Sequence, residues 1–201
     1  STLLDAPLVS HRVSRLVYDC NRSPDAVDAI PSHSEYQDVP GNTGLSEAER
    51  AARTEQYYTP FYNALNGCIE RRLLTKAPPV LVTVHSFTPV YKGGPREMHV
   101  GILHDSDTRL ADQILACADA DPDGTFIVQR NAPYGPGDGV TFTLTRHALP
   151  RHLLNVMIEI RNDLIADEAS QQAMAQRLAG YVSSALAALD DSAGSRQQVV
   201  R

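Results

Sequence analysis

The sequence predicts an α/β protein, a three-layer sandwich with a mixed, mostly parallel central sheet between helices. Three observations carry this. Apolar runs of strand length alternate with stretches whose apolar residues recur at helical spacing. The run 79–84, Pro-Val-Leu-Val-Thr-Val, is β-branched and apolar on both faces, as a central strand covered on two sides should be. The chain has 201 residues, 42% hydrophobic and 21% charged, enough to build one core without covalent staples.

Taken in order, residues 15–19 (Arg-Leu-Val-Tyr-Asp) read as a short strand that Pro24 stops. Residues 24–45 carry Pro24, Pro31, Pro40, Gly41, Asn42 and Gly44, the composition of a long loop. Ser46-Glu-Ala-Glu49 is a capping-box pattern that opens a helix. Thr59-Pro60 predicts a kink, or a restart with Pro60 in a first turn. Beyond it, Phe61, Leu65, Cys68, Ile69 and Leu73 share a helical face. Strands are expected at 79–84, 99–103, 125–129 and 153–160, with a helix over 108–120. Residues 131–139 form a Pro/Gly loop. A long amphipathic helix closes the chain on Met174, Leu178, Tyr181, Val182, Ala185, Leu186 and Leu189. Residues 190–201 read as a frayed polar tail. All of this is expected as a single domain over 1–201.

Composition narrows the function. A net charge of −6 argues against a nucleic-acid binder, because nothing would drive bulk counterion release. Three dispersed cysteines (Cys20, Cys68, Cys117), with no CxxC, give neither a zinc knot nor a disulfide framework and fit a reducing cytoplasm. No run approaches the ~20 apolar residues of a membrane helix. No nucleophile elbow, phosphate-binding loop, dinucleotide fingerprint or HExxH is present. A small-molecule substrate is the expected partner, and the oligomeric state is left open.

In open α/β sheets, ligands gather at the carboxyl ends of strands. Four chemically loaded segments are expected there: 19–22, 85–89, 130–134 and 159–161. His85 follows the strongest strand and offers a neutral imidazole for a metal or a base, or merely a hydrogen bond to a loop carbonyl. Glu159 interrupts an apolar strand; it is either buried, where a carboxyl group is tuned towards a general base, or paired with Arg161 at the strand end. Asn21-Arg22 either presents a guanidinium fork suited to a carboxylate or is an ordinary surface arginine. Arg96, after Gly93-Gly94-Pro95, is a similar candidate. Asn131-Ala-Pro-Tyr134 either holds an amide and a hydroxyl over a pocket or is only a turn.

Six ordered blocks together resemble the N-formylglutamate amidohydrolase family. They are Ser14–Arg22 (Ser-Arg-Leu-Val-Tyr-Asp-Cys-Asn-Arg), Ile30-Pro31 with Val39-Pro-Gly-Asn42, His85-Ser-Phe-Thr-Pro-Val90, Arg96-Glu-Met-His-Val-Gly-Ile-Leu103, Asn131-Ala-Pro-Tyr134, and Ile158-Glu-Ile-Arg-Asn-Asp-Leu164. The family is similar to the zinc carboxypeptidases and related deacylases, whose fold is of the phosphorylase/hydrolase kind.

The resemblance implies zinc or another divalent metal, with His85 as one ligand. It implies Glu159 as the catalytic base and Asn21 and Arg22 as the pair that binds a substrate carboxylate. Arg96, Asn131, Tyr134 and Arg161 lie in family blocks as further substrate-binding candidates. The activity implied is hydrolysis of N-formylglutamate to glutamate and formate, a step of histidine degradation. An amidase for another N-acyl amino acid, or an inactive relative acting as a binding protein, are the alternatives. Measured against the family pattern, an N-terminal strand–helix unit bearing the first metal ligands is expected to be absent before Ser1.

Overall fold

The structure, a computed structural model, describes residues 1–75 and 77–198, with side chains to residue 191. Where a single domain is expected from the sequence, the chain divides into two compact units, residues 7–79 and residues 1–6 with 80–201.

The first unit holds a two-residue ladder of β1 (His33–Ser34) and β2 (Gln37–Asp38), then α1 (Glu47–Arg53) and α2 (Thr59–Leu73). The capping box forms as the sequence indicates: Ser46 Oγ accepts from Glu49 N, and the Glu49 carboxylate accepts from Ser46 N. Pro60 has no N–H to give and its ring crowds the preceding turn, so the chain widens before it. Residues Thr54–Tyr58 form a π-helical turn, and Pro60 sits in the first turn of α2.

Residues 15–19, expected as a strand, form a turn instead, closed by Val17 N donating to Ser14 O at 2.8 Å. The apolar residues there seed a small core. Tyr18 is fully buried with Cys20, Ala29 and Ile30, and Tyr57, Tyr58 and Phe61 pack around them. Tyr18 Oη lies 3.0 Å from Thr54 Oγ1, which satisfies the buried hydroxyl.

The second unit carries the sheet. Its strands are β3 (Leu81–Phe87), β6 (Val100–Leu103), β7 (Val128–Arg130) and β8 (Asn155–Arg161), in the order β3-β8-β6-β7. Between β3 and β6, β4 (Val90–Tyr91) and β5 (Gly94–Pro95) make a hairpin. Its two turn residues, Lys92 and Gly93, have φ of 50° and 76°, the left-handed pair that a tight hairpin requires. The β3–β8 and β6–β7 pairs are parallel and β6–β8 is antiparallel, so the sheet is mixed and mostly parallel.

β3 is an edge strand of this sheet, not the central one expected, and Val84 is 61% exposed. The reversal at β6 also separates the expected cluster of strand ends. β3 and β8 finish at one end of the sheet, and β6 and β7 at the other.

Helices α3 (Arg109–Asp119) and α4 (Glu168–Gln198) cover one face of the sheet. Val100, Ile102, Val156, Ile158 and Ile160 meet Leu110, Ala111 and Ile114 of α3, and Met174, Leu178, Val182 and Ala185 of α4. The predicted α4 face is the buried one, because alternate strand residues and every third or fourth helix residue converge on it. Arg177 ties α4 down by pairing with Asp121 and Asp123 and stacking on Phe126. The opposite face of the sheet meets a π-helical turn at Leu144–Ala148, a segment for which no element is expected above. The backbone stays helical through Gln198, past the start of the expected polar tail; residues 199–201 lie outside the described residues.

Candidate active site

Three residues form a row across one face of the sheet. In the ladder His85 is the register partner of Glu159, and Glu159 is the register partner of Gly101. Register partners project to the same face, so the imidazole and the carboxylate stand side by side. His85 and Glu159 are each the fifth of seven strand residues, so His85 lies within β3 and not after it. Glu159 is 4% exposed, between Met157 and the half-buried end of β8.

Gly101 completes the row by having no side chain. A Cβ there would lie 1.9 Å from Ala132 O and 2.9 Å from Leu103 Cδ1. The backbone of the 131–134 loop therefore rests directly on the sheet beside Glu159. Glycine is what allows that approach.

The loop is built from both ends. Asn131 has φ of 46°, and the Ala132–Pro133 bond is cis. Asn131 Oδ1 accepts from His104 N at 2.9 Å, and Asn131 Nδ2 lies 3.4 Å from His104 Nε2. Arg130 NH1 is 3.0 Å from the same Nε2. Both neighbours only donate, so Nε2 accepts, and the ring proton sits on Nδ1, 2.6 Å from Asp105 O. Of the loop's two candidates, Asn131 is thus engaged in making the turn. Tyr134 reaches the other way, and its Oη accepts from Arg96 NH2 at 3.1 Å.

Arg96 leaves the hairpin with its N donating to Pro89 O at 2.8 Å. Its guanidinium lies 4.6 Å from the Tyr91 ring centre, 5.0 Å from that of Tyr134 and 5.6 Å from that of Phe87. Arg161 is used differently. Its NH1 donates to Arg96 O and Glu97 O at 3.0 and 3.2 Å, and its Nε pairs with Asp163 at 2.8 Å. It straps the 96–98 segment to the end of β8. The alternative pairing of Arg161 with Glu159 does not form; the Arg161 guanidinium is taken up by these carbonyls and by Asp163.

Asn21 and Arg22 belong to the other unit. Asn21 is buried, and its N donates to Asp19 Oδ1 at 2.9 Å. Arg22 Nε pairs with Asp28 at 2.7 Å, and its NH1 donates to Asn21 O at 3.3 Å. They follow a turn, not a strand end.

Among the described residues, no three of His, Cys, Asp or Glu come together to hold a metal ion. A catalytic zinc takes three protein ligands. His85 and Glu159 offer one imidazole and one carboxylate, so the zinc that the resemblance implies is not accommodated by these residues alone.

Sequence reasoning missed the polar group at the far end of the sheet. His104 directly follows β6 and is 8% exposed, and Asn155 opens β8 with no exposure at all. The signal was available: His104 ends an apolar strand just as His85 was taken to do.

A sequence profile of the N-formylglutamate amidohydrolase family matches residues 1–166. Comparison with curated proteins gives no match. A crystal structure of a gene product from Agrobacterium tumefaciens is 52% identical, with a TM-score of 0.83, over 89% of this chain and 70% of that one. The crystal structure of N-formylglutamate amidohydrolase from Ralstonia eutropha is 18% identical, with a TM-score of 0.50, over 70% of this chain and 56% of that one. The second likeness is one of fold. No described helix is long and apolar enough to cross a membrane. With the profile spanning most of its length, the chain belongs to the N-formylglutamate amidohydrolase family, a family of hydrolases.

Proposed function

We propose that the protein hydrolyses the amide bond of an N-formyl or N-acyl acidic amino acid, converting N-formylglutamate and water to glutamate and formate. The observation that carries this reading, beside family membership, is the row His85–Glu159–Gly101. It sets a buried carboxylate next to an imidazole and against a loop backbone that excludes bulk water from one side.

In this reading Glu159 accepts a proton from a water molecule as that water's oxygen attacks the formyl carbon. The carboxyl group then delivers the proton to the amide nitrogen, and the C–N bond breaks. One water is consumed, and one formate and one amine are formed. His85 stands where it can hold the attacked group beside Glu159, which fixes the reacting geometry. It is also the residue here that could supply one ligand to a divalent metal.

The test is stoichiometric. Purified protein is incubated with N-formylglutamate, and formate and glutamate are each quantified. Equal release of both supports the reading. N-acetylglutamate in parallel reports the acyl group. Saturable binding of N-formylglutamate without release of either product would favour a binding protein.

A further inference from the structure

We propose that Arg96 receives a carboxylate of the substrate and is a specificity-determining residue of this site; the inference rests on the amidase reading above. Charge accounting supports the choice. Several arginines around the sheet are already held by acids: Arg109 is paired with Asp107, Arg130 with Asp112, Arg161 with Asp163 and Arg177 with Asp121 and Asp123. Arg22, in the other unit, is paired with Asp28. Arg96 has no acidic partner among the described residues. Its two named acceptors are neutral, Tyr134 Oη at 3.1 Å and Thr88 O at 3.4 Å.

Its surroundings fix the group without neutralising it. Tyr91, Tyr134 and Phe87 flank the guanidinium at 4.6, 5.0 and 5.6 Å. Stacked aromatic faces take up part of its hydration while leaving its full positive charge for an anion. The hairpin turn at Lys92-Gly93 and the Pro89–Arg96 backbone bond hold it in place.

Its position suits an acidic amino acid. Phe87 and Arg161 lie two residues beyond His85 and Glu159 on the same face. Two residues of strand are roughly 7 Å. An acyl amide held at the row therefore places a carboxylate, a few bonds along the molecule, towards the Arg96 fork. The ligand class that follows is an N-acyl amino acid with a free carboxylate.

The test is calorimetric titration with N-formylglutamate and with its neutral diamide, in a Glu159→Gln background so that ligand is not consumed. Arg96→Lys keeps charge and stem but loses the fork; it should weaken N-formylglutamate binding about 10-fold or more and leave the diamide unchanged. Tyr134→Phe, which removes one neutral acceptor, should weaken the same ligand less. Unchanged N-formylglutamate affinity in Arg96→Lys, equal losses for both ligands, or no binding by the parent protein would each overturn the proposal. Formate release by the otherwise wild-type chain separates the two ideas. Selective Arg96-dependent binding without formate release defeats the amidase reading and leaves the Arg96 assignment standing. Formate release with unchanged KM in Arg96→Lys does the reverse.

Discussion

His85 and Glu159 are paired residue to residue across two parallel strands, and both project from the same face of the sheet. That pairing makes them a unit, and groups acting as a unit give non-additive losses. His85→Gln and Glu159→Gln are each expected to lower the amidase rate, and the double variant to lose little more than the worse single. A double variant whose loss is the product of the two single losses would show that they act independently.

Gly101 is where the sheet and the loop meet. Alanine there would put a carbon 1.9 Å from a backbone oxygen, which no side-chain rotation relieves. Gly101→Ala is expected to lower the melting temperature and to cost several kcal/mol, the range of overpacked cores or more. It should also weaken N-formylglutamate turnover by shifting Tyr134 away from Arg96. A variant with unaltered melting temperature would mean that the 131–134 loop does not rest on the sheet.

Burial gives His147 a testable pH signature. It is 3% exposed, and burial, reinforced by Arg151 and Arg146, holds its imidazole down to about 4 from 6.5. The unfolded chain binds a proton at 6.5 that the folded one refuses until about 4, so stability is lost as pH falls through that window. Denaturant titrations at pH 7 and pH 4.5 should show the wild type losing more than His147→Gln. Equal losses would place His147 in solvent.

Cys20 should be inert. Burial first, then the neighbouring Asp19 carboxylate, pushes its thiol up to about 12. Thiolate is the reactive form, so alkylation of the native protein at pH 8 should leave Cys20 unmodified and label it only after unfolding. Rapid native labelling, located by peptide mass, would contradict the packing of Cys20 with Tyr18.

What was legible in the sequence follows from how local each signal is. The capping box at Ser46, the restart at Pro60 and the α4 face were readable because adjacent residues decide them. Leu16, Val17 and Tyr18 have the apolar character of a strand, but among the described residues no strand pairs with them, and Tyr18 turns inward to a small core instead. β3 was expected at the centre because its composition is that of a covered strand, while strand order depends on pairings distant in sequence. The direction of β6 was equally invisible, and with it the separation of the two sets of strand ends. In the candidate site, Glu159 and His85 stood out as polar residues in apolar strands. Gly101 did not: its role comes from Ala132, 31 positions away, and a glycine in a strand has several meanings.

The most direct measurement is formate release from N-formylglutamate by the wild-type protein and by Glu159→Gln, which keeps the shape of the side chain and removes its basicity. The wild type is expected to release formate and glutamate in equal amounts. Glu159→Gln should fold alike by circular dichroism and turn over roughly 100-fold or more slowly, as loss of a general base predicts. A Glu159→Gln protein as active as the wild type would contradict the account.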